Sequence, residues 1–259
     1  MLLAVDAGNT NTKFAVYDGD EQKGIWRTSN EPNRTADEYA VWLLQLMQLQ
    51  GLTRDQVGAV IVGTVVPASL FNLVTLARRY FHCEPLVVGD PRLKLGMRVL
   101  TLNPAEVGAD RIMAAVAAHG SYGGPLIVVD FGTATTFDAV NRDGDYLGGV
   151  IAPGVNLSIE ALHRAAAKLP MVGVERPRAD NKVLGQSTIQ AMQSGVYWGY
   201  VSLVEGLVRR LKEELGGDMK TVATGGLSSL FADATDVIDH VDKDLTLRGL
   251  LEVYRRNAA

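Results

Sequence analysis

The stretch AVDAGNTNTKFAVYDGD, residues 4–20, decides the reading of the whole chain. A short apolar run reaches Asp6 and gives way to Gly8-Asn9-Thr10-Asn11-Thr12. It turns apolar again from Phe14 and closes on Asp18-Gly19-Asp20. Two strands, 2–5 and 13–17, joined by a Gly/Asn turn would account for the pattern as a plain hairpin. The same residues also suit an anion. Glycine lets backbone N–H groups come close to a ligand, and hydroxyls and amides supply further donors. A carboxylate at the strand end can face a hydrated cation beside bound phosphates.

A second copy favours the functional reading. Val129-Asp130-Phe131-Gly132 matches Val5-Asp6-Ala7-Gly8. Continued at the same spacing, Thr12 falls on Thr136, Ala15 on Ala139 and Val16 on Val140. Asp143-Gly144-Asp145 then repeats Asp18-Gly19-Asp20 one residue late. A duplicated lobe is the economical explanation, and two lobes with acidic turns at corresponding sheet ends imply a cleft between them. Three glycines within 120–124 suggest the lobe boundary. The expected lobes are residues 1–120 and 121–259, with the last helix free to pack back on the first lobe. Neither GxxxxGK[ST] nor GxGxxG occurs, so this is a different way of holding phosphate.

Around these turns, strand-like and helix-like runs alternate, as in an α/β chain. Helices are expected at 36–49, 67–81, 156–168, 187–215 and 245–256, and strands at 57–62, 85–88, 126–129, 135–140, 146–150 and 221–223. Asn103-Pro104-Ala105-Glu106 reads as a helix start, with Asn as cap and Pro in the first turn. Asp110 and Arg111 are the only charges between Val107 and Ala118, a run otherwise of Val, Gly, Ala, Ile and Met. Burying charges is costly unless they are paired or used. They are either an internal ion pair or a general base with an anion clamp, and Gly108 would leave room for a ligand. Thr133, Thr135 and Thr136 offer hydroxyls on the second turn, although Thr also suits strands. Asp138 reads as an exposed strand residue. Thr224-Gly225-Gly226 follows a strand and could let a flat ring lie on backbone, or could be a plain turn.

Composition excludes several classes. The 259 residues are 47% hydrophobic and 21% charged, as in globular chains. Against 29 acidic residues there are 25 basic ones, a net charge of −4, so there is no basic footprint for nucleic acid and no polybasic membrane patch. Cys83 is the single cysteine, which rules out an intrachain disulfide. No apolar run reaches signal-peptide or membrane-spanning length. A cytoplasmic protein is expected. Histidines 82, 119, 163 and 240 show no metal-ligand spacing.

With these residues in view, the chain resembles the type III pantothenate kinases over nearly its whole length. The resemblance is carried by Asp6-Ala7-Gly8-Asn9-Thr10-Asn11-Thr12-Lys13, by Gly108-Ala109-Asp110-Arg111, and by Asp130-Phe131-Gly132-Thr133-Ala134-Thr135-Thr136. Gly148-Gly149-Val150-Ile151-Ala152-Pro153-Gly154 adds a fourth motif. The first motif alone would indicate only the superfamily of acetate and sugar kinases, heat-shock chaperones and actin.

The resemblance implies two ribonuclease-H-like, actin-like ATPase lobes with the active site in the cleft between them. It also implies ATP-dependent phosphorylation of pantothenate, the first step of coenzyme A synthesis. By motif, Asp6, Ala7, Gly8, Asn9, Thr10, Asn11, Thr12 and Lys13 would hold the ATP phosphates together with Thr133. Gly108, Ala109, Asp110, Arg111 and Thr188 would line the pantothenate site, with Asp110 as base. Asp130 would bind a monovalent cation, potassium or ammonium, and Asp6 would meet magnesium directly or through water. The family is dimeric, with the pocket completed at the interface. Many members carry a Tyr shortly before Asn-Pro, whereas here the segment is Leu100-Thr101-Leu102. Two alternatives stay open: a kinase for a sugar or carboxylate, and a non-catalytic nucleotide-binding regulator, which would be expected to have lost Asp6, Asp110, Arg111 or Asp130.

Overall fold

The computed structural model describes residues 1–31, 33–166, 168–177 and 182–258. Ala167, inside the expected helix 156–168, lies outside them. Two units are distinguishable by their internal contacts: Met1–Ser121 together with Leu245–Ala259, and Tyr122–Asp244.

The first unit is built on a five-stranded sheet in the order β3-β2-β1-β4-β5. Its strands are β1 (Leu2–Ala7), β2 (Asn11–Asp18), β3 (Glu21–Ser29), β4 (Ala59–Thr64) and β5 (Leu86–Val87). β1, β2 and β3 pair antiparallel, whereas β4 runs parallel to both β1 and β5. Odd-numbered residues of β1 face one way, as strand geometry requires. Leu3 and Val5, with Phe14 and Val16, meet α1 (Ala36–Leu49) and α2 (Pro67–Tyr80) through Tyr39, Leu43, Leu73 and Leu76. Leu2, Ala4, Ala15 and Tyr17 face the other way, onto Ile112 and Met113 of α3 (Ala109–Tyr122) and Leu247 and Leu250 of α7 (Leu245–Asn257). A Thr35–Glu38 capping box starts α1: the Glu38 N–H donates to Thr35 Oγ1 at 3.3 Å and the Thr35 N–H to Glu38 Oε2 at 2.8 Å. Helices α3 and α7 approach so closely that a Cβ on Gly249 would lie 2.0 Å from the Met113 carbonyl oxygen.

The second unit repeats this plan. Its strands are β6 (Leu126–Phe131), β7 (Ala134–Val140), β8 (Tyr146–Pro153), β9 (Lys220–Gly225) and β10 (His240–Val241), ordered β10-β9-β6-β7-β8. As in the first unit, the opening strand pairs antiparallel with the next and parallel with the strand across. One face of the sheet is covered by α4 (Val155–Ala165), α5 (Thr188–Leu215) and α6 (Ser228–Ala232), through Val155, Tyr197, Val204 and Phe231 packed on Val129 and Phe137. Ser187 caps α5 by accepting from the Gln190 N–H, and Gly216 ends it at φ 104°.

Three readings need correction. The two hairpins are not in register at constant spacing, because the second turn is one residue shorter. The Gly8 N–H closes onto the Asn11 carbonyl at 3.0 Å, but the Gly132 N–H closes onto Ala134, also at 3.0 Å. Lys13 therefore stands opposite Asp6, and Thr136 opposite Asp130. Thr12 corresponds to Thr135, and Val16 to Ala139; the bulges that follow Val16 and Ala139 fit the same register. Asn103-Pro104 opens only a 3-10 turn, Pro104–Glu106. The Asn103 side chain donates to Glu106 Oε1 at 2.7 Å instead of capping backbone, and the α-helix begins at Ala109. Asp138 is 1% exposed, not an exposed strand residue; its carboxylate accepts from Tyr146 Oη at 2.5 Å and Thr136 Oγ1 at 3.1 Å.

Candidate active site

In the first unit, Asp6 sits near the end of β1 on the face covered by α3 and α7. It is 8% exposed. Its β2 neighbour Lys13 brings Nζ to 4.0 Å from Asp6 Oδ2, and Arg27 stands beside Lys13 on β3. Burial pushes the Asp6 carboxyl up to about 6. Lys13 and, more weakly, Arg27 pull it down, and the Asp110 charge pushes it further up. Asp6 and Asp110, far apart along the chain, thus share one electrostatic environment.

Asp110 lies in the first turn of α3, where the helix dipole favours a carboxylate. The Arg111 N–H donates to Asp110 Oδ1 at 2.8 Å, which fixes that oxygen. Gly108 supplies the carbonyl that accepts from the Ile112 N–H at 3.2 Å. A Cβ on Gly108 would lie 2.6 Å from Asp110 Oδ1 and 3.3 Å from Val65 Cγ1, so glycine here keeps the carboxylate in place. Arg111 is partly buried beside it, and the rest of α3 through Ala118 is apolar and buried.

The turn that follows Asp6 is anchored at its root. The Ala7 carbonyl accepts from the Val65 N–H and Thr64 Oγ1, each at 3.2 Å. Asn9 and Thr10 are exposed at the tip, and Gly8 and Asn11 flank them half-buried. Ala7 and Thr12 are buried; the Thr12 hydroxyl is directed to Asn30 Oδ1, at 3.5 Å. Asn30 escaped the sequence reading. Its signal was the end of a third strand that the alternation of Glu21–Ser29 showed only weakly.

In the second unit, Asp130 stands at the end of β6, half-buried, with Thr133 exposed at the turn tip. Two other segments crowd against this turn. A Cβ on Gly154 would come 2.2 Å from the Thr133 carbonyl oxygen, and one on Gly225 (φ +91°) 2.5 Å from Asp130 Oδ1. Gly154 of the fourth motif and Gly225 therefore both act as close-packed supports for the Asp130 turn, whereas a Cβ on Gly226 would meet open space. Thr135 is fully buried, and Thr136 shares its hydroxyl with Asp138. Thr188 is exposed at the start of α5. Among the described residues no cluster of three or more His, Cys, Asp or Glu forms a metal centre, and no helix is long and apolar enough to cross a membrane.

Two sheets of one topology, each ending its first strand in an Asp-x-Gly turn, define the actin-like ATPase and sugar-kinase fold. Solved structures agree at the level of fold. A protein from Campylobacter jejuni described as a conserved Baf family transcriptional activator superposes with a TM-score of 0.63 at 19% identity, covering 99% of this chain and 98% of that one. The activator of 2-hydroxyisocaproyl-CoA dehydratase from Clostridium difficile, with bound ADPNP, gives 0.56 at 13% identity, covering 99% and 94%.

Sequence comparison narrows the class. Residues 2–210 match the family model of type III pantothenate kinase. Proteins of that name from Paramagnetospirillum magneticum and Rhodospirillum rubrum are 62% and 61% identical, over 100% and 99% of this chain and 98% and 99% of theirs. The chain belongs to the type III pantothenate kinase family.

Proposed function

We propose that this protein transfers the terminal phosphoryl group of ATP to the primary hydroxyl of pantothenate, the first step of coenzyme A synthesis, with Asp110 as the base. Full-length identity above 60% to type III pantothenate kinases supports the reaction. The single observation that carries the role of Asp110 is its carboxylate, fixed by the Arg111 N–H and given room by Gly108, within the electrostatic reach of Asp6.

Phosphoryl transfer asks for positioning and charge neutralisation more than covalent work. In this reading the turn from Asp6 to Lys13 binds the ATP phosphates, with Lys13 supplying positive charge and Thr133 a further contact. Gly108, Ala109, Arg111 and Thr188 contact pantothenate, and Arg111 suits its carboxylate. Asp110 accepts the hydroxyl proton as the oxygen attacks. Asp6 is the residue for magnesium: a buried carboxyl raised to about 6 has its charged form favoured by a bound cation. Asp130, an oxygen ligand closely backed by Gly225, suits potassium or ammonium. Bound there, these ions would offset charge on the transferring group.

The protein is also read as a cytoplasmic homodimer with its pantothenate pocket at or near the interface. Exposed apolar side chains at Ile151, Leu157, Leu162 and Ile189, the last next to Thr188, support that reading. The test is ADP release coupled to a spectroscopic readout, with pantothenate against a sugar panel and potassium against sodium. Turnover should require pantothenate and rise with potassium. Asp110→Asn should fold and lose about 10²–10⁴-fold in kcat; wild-type-like turnover in that variant would rule out Asp110 as base.

A further inference from the structure

We infer that Asn30 is a positioning residue that straps the phosphate-binding turn into its working shape. The inference rests on the assignment of residues 6–13 to the ATP phosphates. Asn30 follows β3 directly and bonds on both sides of the turn. Its side-chain Nδ2 donates to the Gly8 carbonyl at 2.7 Å, and its backbone N–H donates to the Thr10 carbonyl at 2.9 Å. Its Oδ1 accepts from Thr12 Oγ1 at 3.5 Å and from Ser69 Oγ at 3.2 Å. Thr12 and Ser69 are 0% and 2% exposed, so the strap is tied to a buried strand residue and to the first turn of α2.

This arrangement answers a physical need. A turn of Gly, Asn and Thr is conformationally permissive, and glycine has the largest backbone freedom to lose. An anion-binding turn gains affinity when its donors are already aimed, because the ordering cost no longer falls on the binding step. The carbonyls of Gly8 and Thr10 are the groups that would rotate if the turn relaxed, and these are the ones Asn30 holds. Removing its amide leaves Gly8 without that donor and frees Ser69 and Thr12, with Asp6 and Asp110 untouched. The defect should therefore appear in ATP binding and not in pantothenate binding.

The test uses the full-length enzyme and compares KM for ATP with KM for pantothenate. Asn30→Ala, which removes the amide without adding charge near the phosphates, should raise KM for ATP about tenfold, keep KM for pantothenate within about twofold, and still melt cooperatively. Unchanged KM for ATP, or an equal rise in both KM values, overturns the inference. If Asn30→Ala does not fold, Ser69→Ala decides: a rise confined to KM for ATP supports the strap, and no rise overturns it. Lys13→Ala separates this idea from its foundation. Normal KM for ATP in Lys13→Ala removes the phosphate assignment and the strap with it. A raised value there beside a normal Asn30→Ala removes the strap alone.

Discussion

Asp6 offers a test in which function and stability should move in opposite directions. Its carboxyl is raised from 3.8 to about 6, chiefly by burial. In a group whose folded value lies above its unfolded one, the folded state binds the extra proton. Stability therefore falls as pH rises from about 4 to about 6, and the penalty is fully present above that window. The displacement corresponds to about 3 kcal/mol at neutral pH, and at 8% exposure solvent relieves little of it. Asp6→Asn keeps the shape and removes the charge. The pull of Lys13, 4.0 Å away, is already contained in that displacement, so losing the ion pair carries no second penalty. The net expectation is a gain of about 3 kcal/mol, or roughly 6–12 °C in Tm for a chain of this size. Thermal melts of wild type and Asp6→Asn, without nucleotide or divalent ions, should show that gain near about pH 8 and lose more than half of it by about pH 4.5. The same variant should lose nearly all kinase turnover. The reasoning fails if Asp6→Asn is no more stable than wild type at about pH 8, or if its advantage does not shrink on acidification.

Two further substitutions follow from close approaches. Gly108→Ala would place a Cβ 2.6 Å from Asp110 Oδ1; the carboxylate can swing away, so Tm should fall by no more than a few degrees while kcat drops at least about tenfold. A Tm loss with normal kcat would contradict that. Gly249→Ala puts a Cβ 2.0 Å from the Met113 carbonyl oxygen, backbone that cannot swing, so α3 and α7 must separate. The expected cost is about 2–3 kcal/mol, read as a shift in the denaturant midpoint; a change below about 0.5 kcal/mol would refute it.

Legibility in the sequence followed how local each signal was. Helix α1 could be read to the residue because its apolar residues recur at helical spacing over 36–49 and Gly51 follows. Asp6, Asp110 and Asp130 stood out because each is a charge set in an apolar run, and the structure finds the first two electrostatically coupled. Strand β3 was missed because Gly24 and Trp26 turn inward while Ile25 stays exposed, which blurs the hydrophobic alternation. Asn30 was invisible for a different reason. Its role depends on partners at positions 8, 10, 12 and 69, which only the sheet and α2 bring together. Asp138 misled because its burial is offset by Tyr146, whose hydroxyl reaches it across the β7–β8 pair.

The hairpin register carries the deeper lesson, because it changes what the duplication means. Aligned by eye, the two turns look like copies with interchangeable chemistry. Aligned by strand pairing, a lysine faces Asp6 where a threonine faces Asp130. A carboxylate paired with an ammonium at 4.0 Å adds no net charge, and the lysine's positive end is available to a polyphosphate alongside a metal. Across from Asp130 stands a neutral side chain, Thr136, whose hydroxyl donates to Asp138 at 3.1 Å. One deleted turn residue thus shifts which side chain stands across from the acid. In the proposed reading the two halves share a fold and divide the work, phosphate at the first turn and cation at the second.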